Sequence, residues 1–209
     1  MSQLEIDPLR PQDVEEAMAL LVTAFEQEGI TKEVVDVRKA GVRYRYTLLS
    51  ILKTRIYLEA GQPVYMARLN QAIVGILIMK GKTRLPLPRL LRIILPQDFR
   101  AFPLLLKINW SKAFKVGRMI SSSQAVPEEA ILLEAIAVRS DHRGMGMASK
   151  LMQQAETVAK DRKASGIYLY TADEPNKEIY EHLGYKVMEK RQTDGLTVYH
   201  MYRFAEEIA

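Results

Sequence analysis

Two stretches of this sequence decide its fold: Ala130-Ile131-Leu132-Leu133-Glu134-Ala135-Ile136-Ala137-Val138 and Arg143-Gly144-Met145-Gly146-Met147-Ala148. The first is apolar and predicts a buried β-strand, and the second is a loop with two glycines. Downstream, apolar residues recur at the spacing of one helix face: Ala148, Leu151, Met152, Ala155, Val158 and Ala159. The order strand, glycine loop, helix predicts an anion site, because loop N–H groups can point to one place beside the positive end of the helix dipole. A diphosphate is a suitable ligand for such a site.

The loop does not match two familiar phosphate-binding motifs. The phosphate loop of nucleotide hydrolases ends in Gly-Lys-Ser/Thr, which is missing here. The dinucleotide fingerprint has a third glycine and usually opens the first βαβ unit, whereas this loop lies late in the chain. A tight turn without a ligand stays open as the alternative.

Two blocks of the sequence resemble one known family. Arg143-x-x-Gly146-x-Ala148 resembles the Gln/Arg-x-x-Gly-x-Gly/Ala signature of the GCN5-related N-acetyltransferase (GNAT) superfamily, and residues 133–138 resemble its fourth strand. A second block is similar to the other hallmark of the family: Asn176-Lys177-Glu178-Ile179-Tyr180-Glu181-His182-Leu183-Gly184-Tyr185. The likeness covers residues 130–204. A weaker likeness points to the puromycin-acetyltransferase-like subgroup, which modifies small amines.

The resemblance implies an α/β fold of the GNAT acyl-CoA N-acyltransferase type, with a central mixed, mostly antiparallel sheet of about seven strands flanked by helices. Its fourth and fifth strands would be parallel and splayed, and would hold acetyl-CoA between them. We expect residues 1–209 to form a single GNAT N-acetyltransferase domain. A hydrophobic content of 48% and a charged content of 26% are typical of a soluble globular chain.

The resemblance also implies how the cofactor binds. Loop N–H groups would hold the CoA diphosphate, strand residues 136–138 would bond the pantetheine arm through their backbone, and Asn176 would bond the same arm. Asn176 as a helix N-cap is the alternative. The cofactor-binding residues implied are Ile136, Ala137, Val138, Arg143, Gly144, Met145, Gly146, Met147, Ala148 and Asn176.

Two residues are candidates for proton transfer. Tyr180 matches the general-acid position of the family, and a phenol with a pKa near 10 is protonated at neutral pH. The alternative is a tyrosine that only packs between helix and sheet. Glu134 is the candidate base, and strand alternation predicts that it shares a face with Ile136 and Val138. The alternative is a structural glutamate paired with an arginine.

These features favour an N-acetyltransferase that moves an acetyl group from acetyl-CoA to a primary amine of a small molecule. The chain has no cysteine to carry an acyl group, so we expect direct transfer in a ternary complex. A longer acyl donor, a protein or peptide acceptor, a non-catalytic CoA-binding or partner-binding module, and a homodimer stay open. The histidines (His142, His182 and His200) lack a ligand-like spacing, so no metal is expected. The N-terminus shows no signal segment, which predicts a cytoplasmic protein.

A basic and apolar insertion lies at about 81–118. It has nine Lys and Arg residues and one acidic residue, Asp98, and its prolines divide it into short pieces. A helical flap over the core is the plainest interpretation. A lid over the acceptor pocket, with an aromatic wall of Phe99, Phe102, Trp110 and Phe114, is a functional alternative. Contact with an anionic membrane surface is less favoured, and nucleic acid is not expected. Residues 31–60, rich in tyrosine and arginine, are a second candidate border of that pocket.

Overall fold

The computed structural model of the protein describes residues 4–26, 28–34, 38–83, 85–94, 110–193 and 195–208. Its strands form one sheet in the order β1-β2-β3-β4-β5-β7-β6, in which only the β4–β5 pair is parallel. The predicted mixed, mostly antiparallel sheet of seven strands is therefore confirmed. The strands are β1 (Leu4–Pro8), β2 (Val64–Leu69), β3 (Ala72–Lys80), β4 (Ile131–Val138), β5 (Gly166–Thr171), β6 (Lys186–Thr193) and β7 (Leu196–Phe204).

Helices cover both faces of this sheet. They are α1 (Val14–Phe25), α2 (Gly29–Val34), α3 (Ala40–Glu59), α4 (Leu87–Ile94), α5 (Trp110–Met119), α6 (Met147–Asp161) and α7 (Glu174–His182). Within the described residues, the predicted helical region 31–60 contains α3 and most of α2. The predicted apolar stripe of α6 is buried from Leu151 to Ala159, as its spacing requires.

The core has two parts, one on each side of the sheet. The α6-side core contains Leu77, Leu133 and Leu151, and the α1-side core contains Met18 and Ile76. Strand β3 runs between them and is buried over most of its length, which explains its continuous apolar sequence. Gly75 lets α6 approach closely, since a Cβ there would lie 3.0 Å from Leu151 Cδ1 and 3.2 Å from the Ala137 carbonyl oxygen.

Strands β4 and β5 separate soon after they begin. Their parallel register holds only Ile131 opposite Ile167 and Leu132 opposite Tyr168. On its other side β4 pairs with β3 and contains a bulge, because Ala135 opposes Ile78 while Leu133 opposes Met79. Glu134 is the extra residue of this bulge. The divergence and the bulge together position the candidate site.

The described part of the insertion consists of α4 and α5. Helix α4 packs against α3, and α5 packs against α2. The end of α5 is held by the sheet: Arg191 on β6 donates to the carbonyl oxygens of Arg118 and Ser121, each at 2.8 Å, and also pairs with Glu189. Val116 and Met119 on α5 are buried, whereas five other large apolar side chains of these two helices are exposed: Leu87, Leu91, Ile94, Trp110 and Phe114. No helix within the described ranges is long and apolar enough to span a membrane.

Two of the aromatic side chains assigned to the predicted lid, Phe99 and Phe102, lie outside the described residues. The other two, Trp110 and Phe114, are 61% and 72% exposed, so they project from α5 and do not line a buried wall. The lid stays a prediction.

Candidate active site

The glycine loop ends where α6 begins, at Met147. Gly144 and Gly146 have φ angles of +76° and +74°, which side chains with a Cβ rarely adopt, and a Cβ on either would meet nothing within 4 Å. The Lys150 N–H bonds the Gly146 carbonyl at 3.1 Å. The N–H groups of residues 144–149 find no acceptor within the described parts of the chain. The space next to both glycines is open and adjoins the positive end of a helix, and the loop therefore fits a diphosphate.

The edge of β4 that faces the divergence also has free backbone groups. Arg139 N–H bonds the Val74 carbonyl oxygen at 2.8 Å, so by antiparallel alternation Ala137 also bonds β3. The backbone N–H and C=O groups of Ile136 and Val138 then point the other way, toward β5. Because β5 pairs with β4 only before the bulge, these groups have no strand partner there. Of the three residues predicted to bond pantetheine, Ile136 and Val138 have suitable backbone groups, whereas those of Ala137 are directed at β3.

Tyr180 lies on α7 beside this divergence, packed against the α6-side core. Its ring contacts that of Tyr185 edge to face, with centroids 5.6 Å apart. Burial raises the pKa of Tyr180 to about 12. Its hydroxyl makes no hydrogen bond to any described residue. The phenol is thus protonated at neutral pH, and none of the residues that the structure describes accepts its proton.

Asn176 lies one turn before Tyr180 on the same helix. Helix α7 begins at Glu174 with Asp173 at the N-cap position, so the alternative assignment of Asn176 as the N-cap is wrong. The side chain is exposed in the first turn, where a ligand along the divergence can reach it. The bond from Asn176 to the pantetheine arm stays a prediction.

Glu134 lies on the opposite side of β4, under α3. The Tyr57 hydroxyl donates to its Oε2 at 2.5 Å, and the Lys53 ammonium pairs with its Oε1. Only 12% of the Glu134 side chain is exposed. The predicted common face with Ile136 and Val138 is wrong, because those two side chains pack in the α6-side core. The bulge is the reason: it interrupts the period-two alternation at Glu134.

Tyrosines surround the Glu134 carboxylate. Burial and the Glu134 charge together raise the pKa of Tyr57 and the pKa of Tyr170 on β5. Burial also raises the pKa of Tyr46 on α3. Sequence reasoning missed Lys53, Tyr57 and Tyr170, although Lys53 and Tyr57 are one helical turn apart and their spacing could have indicated a common face.

A second polar cluster stabilises β7. His200 is fully buried; its Nε2 lies 2.7 Å from the Met119 carbonyl oxygen and its Nδ1 lies 2.5 Å from the Tyr168 hydroxyl. The carbonyl can only accept, so Nε2 carries the hydrogen and Nδ1 accepts from Tyr168 in a neutral ring. Burial lowers the pKa of His200, in agreement with this assignment. Among the described residues no group of His, Asp and Glu side chains is placed to hold a metal ion.

Comparison with known proteins places the chain in a family. The model of the acetyltransferase (GNAT) family matches residues 42–185, which include the glycine loop and Tyr180. The protein therefore belongs to the GNAT acetyltransferases, a family of acyltransferases that use acetyl-CoA. No curated protein matches the sequence significantly.

Solved structures with the same fold span nearly the whole chain. One is histone acetyltransferase HPA2 and related acetyltransferase from Corynebacterium glutamicum ATCC 13032, with a TM-score of 0.65, 19% identity, and coverage of 97% of this chain and 96% of that one. The C-terminal condensation domain of Ebony in complex with β-alanyl-dopamine has a TM-score of 0.65, 13% identity, and coverage of 98% of this chain and 100% of that one. PaiA N-acetyltransferase from Thermoplasma acidophilum in complex with coenzyme A has a TM-score of 0.60, 12% identity, and coverage of 97% and 99%.

Proposed function

We propose that this protein transfers an acetyl group from acetyl-CoA to a primary amine of a small molecule, directly in a ternary complex. The observation that carries the proposal is the arrangement along the β4–β5 divergence. Unpaired loop N–H groups lie at its α6 end, Tyr180 lies on one side of it, and Glu134 lies beneath α3 on the other. Binding groups for an anionic donor, a proton donor and a proton acceptor are thus supplied by one region of the fold.

Acetyl-CoA would supply the activated acetyl group as a thioester. The N–H groups of residues 144–149 would bind its diphosphate, with Arg143 exposed beside them. The free backbone groups of Ile136 and Val138 would pair with the pantetheine arm, since polar backbone groups that become buried need partners. Asn176 would bond the same arm. This binding orients the donor toward the bulge of β4.

Two side chains would handle the protons. Tyr180 keeps its proton at neutral pH and would donate it to the departing thiolate. Glu134 is the carboxylate that would take a proton from the acceptor ammonium, since the amine must be neutral to attack. Tyr57 holds the carboxylate in place by its hydrogen bond to Oε2. The half of the carboxylate that faces Lys53 is then the half available to the acceptor.

The choice of a small amine rests on similarity and on the burial of Glu134. One similar fold is described in complex with β-alanyl-dopamine, a small amine derivative, and another is an N-acetyltransferase in complex with coenzyme A. A third is a histone acetyltransferase, which favours a protein acceptor as the second candidate. A deeply placed carboxylate with 12% exposure suits a slender amine better than a folded protein surface.

The test is release of free thiol from acetyl-CoA in the presence of a panel of amines, with Tyr180→Phe assayed in parallel. We expect at least one primary amine to give thiol release that depends on both the amine and Tyr180. Lysine-containing peptides serve as the comparison for the second candidate. Saturable binding of acetyl-CoA without amine-dependent thiol release across amines and peptides would contradict catalysis and favour a CoA-binding module.

A further inference from the structure

Lys53 holds the position at Glu134 that an acceptor amine needs. Its ammonium group pairs with Glu134 Oε1, while the other carboxylate oxygen accepts from Tyr57. The same ammonium lies 5.6 Å from the centroid of the Tyr57 ring. Lys53 and Tyr57 are separated by one turn of α3, so a single helix face presents both to the bulge of β4. A phenol of the chain therefore holds one carboxylate oxygen, and a cation of the chain is bound to the other.

The chemistry of this contact identifies its ligand. A lysine side chain ends in a primary alkylammonium on an unbranched methylene stem. Here that group is bound by a carboxylate oxygen and by the face of a phenol ring, two features that attract an organic cation. We propose that Glu134 and Tyr57 form a subsite for a primary alkylammonium, that Lys53 occupies it in the free protein, and that the acceptor binds by displacing Lys53. The identification of the ligand as the acceptor rests on the proposed function.

The two residues of the ion pair differ in burial, and this difference favours exchange of Lys53 for another ammonium. The Lys53 side chain is 57% exposed, so its ammonium can turn into water and remain solvated. Glu134 is 12% exposed and would be left as a poorly solvated charge if its cation departed without a replacement. Exchange of one ammonium for another avoids that state. Lys53 therefore keeps the carboxylate neutralised until an acceptor arrives.

The surroundings favour a cation over a neutral ligand. Glu28 accepts from the Thr31 backbone N–H at 2.8 Å, and its charge acts on both Tyr46 and Tyr170. Glu134 acts on the same two tyrosines, so two carboxyl groups lie near this phenol-lined region, and burial raises the pKa of Glu28. Lys53 contributes the opposing charge at Tyr46. When Lys53 turns outward the region becomes more negative, and a positively charged acceptor is attracted more strongly.

Binding of n-butylammonium chloride, the lysine side chain without its backbone, tests the exchange in the absence of acetyl-CoA. We expect Lys53→Met, which keeps the stem and removes the charge, to bind it about tenfold more tightly than the unaltered protein, because an internal competitor has been removed. Lys82→Met is the matched control, since Lys82 is another exposed lysine paired with a glutamate. It should bind like the unaltered protein. Glu134→Gln should abolish binding, and n-butanol should not bind.

A second measurement needs no substitution. In the unaltered protein, NMR signals of the Lys53 side chain should shift as n-butylammonium is added and Lys53 moves into water. Equal or weaker binding by a folded Lys53→Met protein, or Lys53 signals that stay constant while the amine binds, would overturn the exchange. Because acetyl-CoA is absent, the binding measurements test the exchange independently of the proposed function. If the protein releases thiol in an amine-dependent way but Lys53→Met binds n-butylammonium with unchanged affinity, the exchange is wrong and the proposed function stands.

Discussion

The Tyr57 hydroxyl donates a 2.5 Å hydrogen bond to Glu134 Oε2, and this contact joins two residues that are 77 positions apart in the chain. It ties the long helix α3 to the bulge of β4, at the point where β4 and β5 begin to diverge. It also directs the second carboxylate oxygen toward Lys53. The candidate base is thereby oriented by α3, and the acceptor side of the site depends on the packing of that helix.

Gly146→Asp should abolish acetyl-CoA binding. The new carboxylate would repel a diphosphate, and its Cβ would occupy open space next to the N–H groups of the loop. The measurement is the rise in melting temperature on adding acetyl-CoA, which a ligand of the folded state produces by mass action. Gly195→Asp is the matched control, because Gly195 also has a positive φ, +88°, and a Cβ there would meet nothing within 4 Å. The control should retain the rise, and equal rises in all three proteins would remove the loop from the site.

Tyr180→Phe should lower turnover about 10²-fold, which is the usual effect of removing a general acid, while acetyl-CoA binding stays near normal. Since the pKa of Tyr180 is raised to about 12, its ionisation should not limit turnover at neutral or mildly alkaline pH. Tyr199→Phe is the control, because that hydroxyl bonds Glu174 on the same helix at 2.5 Å. Turnover measured under single-turnover conditions decides the matter. A loss of similar size in both variants would indicate a disturbed helix.

Tyr185→Phe should leave the free energy of unfolding unchanged or raise it. The Tyr185 hydroxyl is buried and has no hydrogen-bond partner among the described residues, so its removal ends an uncompensated desolvation. Tyr202→Phe should instead cost about 1 kcal/mol, because that hydroxyl bonds Ser165 Oγ at 3.0 Å. Both rings are fully buried and contact a second aromatic ring. Urea unfolding measures the free energy of unfolding of both variants. A larger loss of stability for Tyr185→Phe than for Tyr202→Phe would indicate that the Tyr185 hydroxyl has a hydrogen-bond partner.

Stability should fall as the pH drops below about 6.5, the usual pKa of histidine. The folded protein holds His200 neutral with a lowered pKa, so the unfolded chain binds a proton more readily. The contribution of His200 to the free energy of unfolding is fully present above the pKa of the histidine in the unfolded chain. It is lost as the pH falls through the lower pKa of His200 in the folded protein. Urea unfolding between pH 5 and pH 8, about three units that span the usual pKa of histidine, measures how the free energy of unfolding changes with pH. His200→Gln should flatten the slope, whereas His182→Gln, at an exposed histidine, should not.

Trp110 fluorescence should respond to the acceptor amine more than to acetyl-CoA. Trp110 is the single tryptophan of the chain, and its helix α5 packs against α2, which carries Thr31 at the phenol-lined region. An acceptor that orders this region should therefore change the emission. Anionic vesicles are the comparison. Emission that shifts with vesicles and not with acceptors would favour membrane contact for residues 81–118.

Much of the fold could be predicted because its signals are local. The hairpin between β2 and β3 turns at Asn70-Gln71, and both residues adopt the positive φ that such a two-residue turn requires. The α6 stripe is buried from Leu151 to Ala159, where its spacing placed it, whereas its first member, Ala148, is exposed. The contacts of the site were harder to predict, since the partner of Glu134 lies on a helix far away in the chain. The alternative assignment of Glu134 paired it with an arginine, and the structure has Lys53 as its partner.

By itself the sequence determined strand β4, the glycine loop and helix α6, because each depends on neighbouring residues and their backbone preferences, and the motif resemblance pointed to Tyr180. Tertiary structure decided which backbone groups face the divergence and which side of β4 carries Glu134. A bulge forms through pairing with another strand, and it reverses the face of every residue that follows it. No periodicity within β4 contains that information, so the acceptor side of this acetyltransferase became visible only when β3, β4 and α3 were packed together.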